Sequence, residues 1–391
     1  MTKRILIFSL AYYPRHVGGA EVAIKEITDR ISGEEFEFHM ITLRFDDNLP
    51  KTERIGNVLI HRVGFGGKYI SKILYVPLAA MYAKRLHRQE MFAGVWAMMT
   101  YMLFPTVLLH MLGVRLPYVV TLQDGDPFEY VFKRPHIRVF SPLLRYGFRH
   151  ATIVQSISTY LADWLQKFGT TCPVVVVPNG VDMQKFSVRG TEKEKELFRK
   201  KFGKNKNDIL LISTSRLVYK NAYDDIIRAL KKISENVHLI AVGQGKDEAY
   251  LRDLAMKEGA SARVVFVGHV DYIDIPKYLS ASDIFIRPSR SEGMGNSFIE
   301  AMASGLPVIA TQEGGLSDFI FDEVHNPDKP KTAWVVPRDA PDAIAHAVED
   351  IVTHPEKVRE VVHNTRVLIT GSYEWDTIAS RMSKEVFTKL V

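Results

Sequence analysis

Two glutamates, Glu292 and Glu300, stand eight positions apart in the stretch SEGMGNSFIEAMASGLPVIAT, residues 291–311. Gly293 and Gly295 follow the first of them. Glycines let backbone amides approach a ligand closely, and a helix opening after such a turn points its positive dipole end into it. The free amides of Gly295, Asn296 and Ser297 would therefore face an anion. Ser297-Phe-Ile-Glu300 also fits a capping box, with Glu300 reaching back to the N-cap amide. Gly305 fits the position just past a helix end, and Pro307 the start of a strand. Helix start and stop chemistry thus accounts for residues 297–307 and leaves Glu292 without a structural reason.

Other residues of matching chemistry follow apolar runs elsewhere. In STSRLVYKNAYDDII, Arg216 and Lys220 lie four apart in a loop before a helix. Both could reach one diphosphate, the arginine as a fork and the lysine as a point charge, although solvated surface cations would look the same. Gly18 and Gly19 in YYPRHVGGAEVAIKEI open a helix and could offer amides to a phosphate. They do not form the GxGxxG pattern, so a nicotinamide cofactor is not indicated. Gly243 and Gly245 in AVGQGKDEAYL, and Gly268 and His269 in FVGHVDYIDI, mark tight turns, and the backbone around Val270 could bond a base edge. In VVTLQDGDPF, Gln123, Asp124 and Asp126 are candidate contacts to a second substrate, or an Asp-Gly turn.

The elements that must hold these residues alternate between strands and amphipathic helices. Strands are expected over Arg4–Leu10, Glu37–Leu43, Val58–Val63, Gly94–Met98, Tyr118–Leu122, Ala151–Gln155 and Val174–Val177. A second series covers Ile209–Ser213, Val237–Val242, Val264–Val267, Ile284–Arg287, Pro307–Ala310 and Ala333–Val335. Strand–helix–strand alternation implies parallel sheets, and two series imply two doubly wound α/β domains. A chain of 391 residues suits two cores. The expected boundary lies near residue 182, after the Asn179-Gly180 turn and before the charged run Glu192–Lys206, which reads as a solvated helix face. Ligands of such sheets bind at the carboxyl ends of the strands, where every candidate above falls, and two facing domains would put those ends along a cleft.

Composition narrows the class. The single cysteine, Cys172, excludes an internal disulfide and reads as a small buried residue, in keeping with a reducing compartment. The uncharged run Ala93–Val114 is long enough to span a bilayer, but Pro105 and His110 interrupt it and it divides well into strand and helix. The start, MTKRILIFSLAYYP, reads as a first buried strand rather than a signal peptide. A net charge of +6 favours anionic partners, with Lys133, Arg134, His136, Arg138, Arg145, Arg149 and His150 forming a local basic cluster. Nucleic acid would need basic residues interleaved with aromatics along one face, and the phosphate-type loops argue against it.

The ensemble resembles the retaining glycosyltransferases of family 4 (group 1), which have the GT-B fold. GGAEV, PNGVD, SRL with Lys220, EGMGNSFIEAMASGLPVIAT and SYEWDTIASRM appear in the family's order across nearly the whole chain. The resemblance implies two Rossmann-like domains: residues 1–182 for the acceptor, residues 183–372 for the donor, and a C-terminal helix over 373–391 returning to the first. It implies a nucleotide-diphosphate sugar, UDP- or GDP-linked, as donor, and no metal or other cofactor. Glu292 would bind donor sugar hydroxyls, the amides from Gly293 and Met294 to Ser297 the diphosphate, and Glu300 the ribose. Arg216 and Lys220 would stabilise the leaving nucleoside diphosphate, with Gly19 contributing an amide. Where the family often has histidine, this chain has Gln123.

The implied reaction is hexosyl transfer to a hydroxyl acceptor in glycan, glycolipid or envelope polysaccharide synthesis, with retention by front-face attack. A GT-B epimerase or phosphorylase would share the cleft but needs an acid–base, phosphate or pyridoxal site that the sequence does not display. The segment Tyr69–Arg88 reads as amphipathic, apolar on one side and basic on the other, and could dock a cytoplasmic enzyme on an anionic membrane surface. Oligomeric state is not legible in the sequence.

Overall fold

The computed structural model describes residues 2–14, 17–126, 128, 135–188 and 190–391. The chain divides into two compact units, Met1–Gly180 with Trp375–Val391, and Val181–Glu374. Among the described residues, the first unit contains β1 (Lys3–Phe8), β2 (Phe36–Leu43), β3 (Thr52–Ile55), β4 (Val58–Val63), β5 (Gly94–Met98), β6 (Tyr118–Leu122), β7 (Ile153–Ser156) and β8 (Val174–Val176). They form one sheet in the order β3-β4-β2-β1-β5-β6-β7-β8. Every pairing is parallel except β3 with β4. Parallel strands are covered on both faces and so read as continuous apolar runs; Ile5, Leu6, Ile7 and Phe8 are fully buried.

β3 has no counterpart in the sequence reading. Its four residues, TERI, alternate between exposed and half-buried and three of them are polar, so no apolar run marks them. The signal was the Gly56-Asn57 turn between β3 and β4, where Gly56 adopts φ +57° and the strands pair antiparallel from Ile55↔Val58. The uncharged run 93–114 resolves into β5, a short turn and the helix Leu103–Met111. Among the described residues no helix is long and apolar enough to cross a membrane.

The last residues pack on the first unit. Phe387 meets Trp96 at 5.0 Å and Phe38 at 5.5 Å between ring centres, and Arg381 Nη2 donates to the Val176 carbonyl at 2.8 Å. A Cβ at Gly94 would lie 2.7 Å from Leu390 Cβ, so a glycine in β5 lets the chain end approach the sheet.

Among its described residues the second unit contains β9 (Ile209–Thr214), β10 (Val237–Val242), β11 (Val264–Gly268), β12 (Ile284–Arg287), β13 (Val308–Ala310) and β14 (Trp334–Val335). Their order, β11-β10-β9-β12-β13-β14, is parallel throughout. The chain leaves β9 toward β10 on one side, while β12 lies on the other. The connections that leave β9 and β12 therefore run to opposite sides of the sheet, which makes the carboxyl edge between these two strands the topological switch point. Leu211, Leu239, Ile284, Ile286 and Ile309 fill the core under that edge. The charged run forms the helix Glu192–Lys200, capped by a Thr191–Glu194 box and with no buried residue, as its composition requires.

Candidate functional site

At the switch point of the second unit, the loop after β9 carries Arg216 and Lys220, and the loop after β12 carries Glu292 and the helix Asn296–Ala303. Arg216 is exposed and Lys220 half-buried in a short turn, Tyr219–Asn221. Glu292 is 8% exposed. Its Oε1 accepts from Arg287 Nη2 at 2.8 Å and from Ser289 Oγ at 3.3 Å. Arg287, the last residue of β12, also donates from Nη1 to Ser297 Oγ at 2.7 Å and lies 4.3 Å from the Phe298 ring centre. Arginine at the end of a buried strand is expensive to bury without partners; that anomaly was the signal that could have found it. Behind Glu292, Gly314 adopts φ +63°, and a Cβ there would fall 2.0 Å from the Glu292 carbonyl. Gly315 donates its N–H to that carbonyl at 3.0 Å.

The helix N-terminus differs from the expected capping box. The N-cap is Gly295, at φ +87°, and no side chain caps the helix. Ser297 and Glu300 therefore sit inside the helix, where Ser297 serves Arg287. Glu300 is buried, 8% exposed, and hydrogen-bonded to Tyr272, and burial pushes its carboxyl up to about 7 against that bond and the nearby Arg287. A local four-residue motif was outweighed by a tertiary partner from the loop after β11. The helix end follows the expectation: Gly305, at φ +73°, donates to the Met302 carbonyl, and Leu306 to that of Ala301.

Met294 is buried, so its side chain belongs to the core, while Gly295, Asn296 and Ser297 are half-buried. Gly293 is buried beside Glu292. Gly243 and Gly245 have a packing reason: a Cβ at either would lie about 2 Å from the Ser215 or Leu217 carbonyl. His269 is exposed beside Asp271, at 3.4 Å, and Val270 is half-buried. Among the described residues no group of three His, Cys, Asp or Glu could hold a metal ion.

In the first unit, Gly18 caps the helix Gly19–Arg30, and its amide donates to Glu21 Oε2 at 2.8 Å. Asp124 is buried rather than presented on an Asp-Gly turn. It accepts from Thr100 Oγ1 at 2.8 Å, and burial with the neighbouring Asp126 pushes it up to about 6. Gln123 and Asn179 exchange side-chain amide bonds at 3.1 and 3.3 Å. Asp126 is half-buried. The helix Tyr69–Glu90 buries Ser71, Tyr75, Ala79, Ala80, Ala83 and Leu86. Its other side is not simply basic: Tyr69, Ile70, Ile73, Leu74 and Met81 are exposed among Lys72, Arg85 and Arg88. Arg145, Arg149 and His150 are exposed. Lys133, Arg134 and the side chains of His136 and Arg138 lie outside the described residues.

Two parallel α/β units of this order define the GT-B class of fold. Solved structures agree: sucrose-phosphate synthase of Thermosynechococcus elongatus superposes with a TM-score of 0.82 at 19% identity, covering 98% of each chain. Anabaena HepE in complex with UDP and glucose does so at 0.79 and 20%, covering 99% of this chain and 100% of that one. Residues 194–367 match the family model Glycosyl transferases group 1, and residues 17–185 match Glycosyltransferase Family 4. The chain belongs to this glycosyltransferase family and is a transferase enzyme. It is 28% identical over 400 residues to an uncharacterized glycosyltransferase of Methanocaldococcus jannaschii, covering 96% of both. Another relative, a GDP-mannose-dependent monoacylated alpha-(1-6)-phosphatidylinositol monomannoside mannosyltransferase of Corynebacterium glutamicum, is 28% identical over 242 residues, 59% of this chain and 61% of that one.

Proposed function

We propose that this glycosyltransferase moves a hexosyl unit from a UDP- or GDP-sugar to a hydroxyl acceptor, with retention at the anomeric carbon and without a metal. The observation that carries the reading is the convergence, at one switch point, of the Arg216–Lys220 loop, the Glu292 loop and an uncapped helix N-terminus. Cations and amides there suit a diphosphate, and the carboxylates Glu292 and Glu300 suit sugar and ribose hydroxyls. UDP and glucose in a protein of the same fold, and the GDP-mannose of a relative, are consistent with this donor class.

Charge develops on the diphosphate as the glycosidic bond breaks. Arg216, Lys220 and the amides of Met294 to Ser297 would stabilise it more in the transition state than in the ground state. The acceptor hydroxyl attacks from the face the leaving group departs, and its proton passes to the leaving phosphate. A panel of UDP- and GDP-sugars scored by thermal shift tests the donor, since a ligand that binds only the folded state raises stability. No shift with any of them removes the donor assignment. Product NMR tests the stereochemistry, and an inverted anomer removes retention.

The first unit would bind the acceptor, with Gln123, Asp124 and Asp126 at its strand ends. The exposed Phe65, Tyr69, Ile70, Ile73 and Leu74, with Lys68 and Lys72 among them, suit shallow insertion into an anionic leaflet at the cytoplasmic face. Such a surface fits a lipid-linked acceptor in glycolipid or envelope polysaccharide synthesis. Co-sedimentation with anionic liposomes should fall in Ile70→Asp/Ile73→Asp, and sedimentation indifferent to both lipid charge and this change would refute membrane docking.

A further inference from the structure

Arg290 stands two residues before Glu292 and is buried. Its Nε donates to Asp339 Oδ1 at 2.6 Å. Its Nη1 donates to the Tyr219 carbonyl at 2.7 Å and to Asp224 Oδ1 at 2.8 Å. Its Nη2 donates to Asp224 Oδ2 at 3.1 Å and Asp225 Oδ2 at 2.7 Å. A guanidinium has five N–H donors, so these bonds occupy the whole fork. Tyr219 covers one face of it, 4.3 Å from ring centre to guanidinium carbon. The Arg290 backbone N–H completes the set with a 2.7 Å bond to the Lys220 carbonyl.

Arg290 therefore has no donor to spare for a substrate phosphate, and what it grips is the Tyr219–Asn221 turn. That turn is three residues long and followed by Ala222 in the left-handed region, at φ +53°. Its other end is tied to Arg216: buried Asn221 donates from Nδ2 to the Arg216 carbonyl at 2.7 Å. We propose that Arg290 is a positioning residue for glycosyl transfer, an ion-pair clamp that fixes the Lys220 turn to the Glu292 loop so that both side chains meet one nucleotide sugar. The inference rests on the donor assignment above.

The surrounding charges show why a fork is needed. Asp224, Asp225 and Asp339 outnumber Arg290 and the half-exposed Arg228, which reaches Asp224 at 3.0 Å and Asp225 at 3.4 Å. Burial and the neighbouring Asp224 push Asp225 up to about 6. A lysine at position 290 would supply the charge but not the planar geometry that bridges three aspartates and a carbonyl at once.

Hydrogen exchange on the full-length protein, followed by mass spectrometry, tests the clamp. In Arg290→Lys the amides of 216–222 should exchange about tenfold faster or more, while β9 stays protected. Arg290→Gln/Asp224→Asn, in which charge is matched, should behave alike and guards against a variant that misfolds through unpaired acids. With the donor found by the nucleotide-sugar panel, Arg290→Lys should lower kcat about tenfold and add little to Lys220→Ala, because both act through one group. Wild-type exchange rates over 216–222 in both variants would overturn the clamp. So would kinetic losses that multiply independently of Lys220→Ala. If no nucleotide sugar shifts the wild-type protein, the donor assignment fails by itself, and the exchange rates still decide whether Arg290 clamps the turn.

Discussion

The carboxyl edges of the two sheets share one local architecture, strand, glycine-bearing turn and helix, and differ in what they bury. At the second unit's edge two arginines, Arg287 and Arg290, are buried and grip Glu292, Asp224, Asp225 and Asp339. At the first unit's edge the buried arginine, Arg62 near the end of β4, is spent on Glu53 of the edge strand and on the Pro50 and Tyr13 carbonyls, and among the candidate residues Asp124 takes its hydrogen bond from the hydroxyl of Thr100, with an amide pair, Gln123–Asn179, beside it. The helix N-termini diverge likewise. Gly18 gives its amide to Glu21, whereas no side chain caps the helix at Gly295. Desolvated arginine suits a place where acids or phosphates are held, and an edge of hydroxyls, amides and acids suits ligands that bring hydroxyls. The difference matches the proposed division between donor and acceptor.

The strongest test of that contrast is Arg287→Leu. It leaves Glu292 buried and unpaired, which should cost about 3–5 kcal/mol in urea unfolding, while Arg287→Leu/Glu292→Leu should recover most of it. A loss under about 1 kcal/mol would mean that the pair is not the scaffold of this edge. Next, Lys220→Ala should raise the transfer barrier by about 2–4 kcal/mol with donor and acceptor saturating. Near-normal kcat would move the leaving-group role elsewhere.

The third test is pH. Glu300 is raised from 4.5 to about 7, so the native state holds its proton while the unfolded state loses it. Its contribution to stability therefore falls as pH rises from 4.5 through about 7, and Glu300→Gln should flatten that slope in thermal melts. An ionised Glu300 accepts two hydroxyls where the protonated form accepts poorly, so nucleotide-sugar affinity should rise toward pH 7 and then level. Affinity independent of pH would detach Glu300 from the ribose. The smallest effect is expected at the other edge. Asp124 is raised from 3.8 to about 6, so its cost is complete above pH 6 and absent below about 4. Asp124→Asn should leave stability at pH 8 unchanged or slightly higher, measured by thermal melting. A large loss there would give the Asp124 carboxylate a structural role like that of Glu292 and erase the contrast between the candidate residues of the two edges.

Much of the scaffold was legible because it is local. β4, β5, β6, β10 and β12 run over the residues the sequence pattern delimits, since a strand covered on both faces is apolar over most of its length. The polar edge strand β3 gave no such run. In the candidate site, the residue types that could meet a diphosphate or a sugar hydroxyl were readable from their place after strands. Their partners were not: Ser297 and Glu300 fit a cap on spacing alone, and the structure gives the first to Arg287 and the second to Tyr272.

The sequence by itself determined two series of strands and helices, the turns that close them and the loops where chemistry collects, because propensity, periodicity and glycine geometry act over a few residues. Only the tertiary structure decided that Arg287 neutralises Glu292, that Gly243 and Gly245 are glycines for the sake of neighbouring carbonyls, and that Arg290 ties the Lys220 turn to the Glu292 loop. The first closes the loop after β12 on its own strand, and the other two join that loop, or the loop after β10, to the loop after β9. Which strands are neighbours depends on sheet order, and sheet order is set by burial of the whole unit rather than by any segment of it.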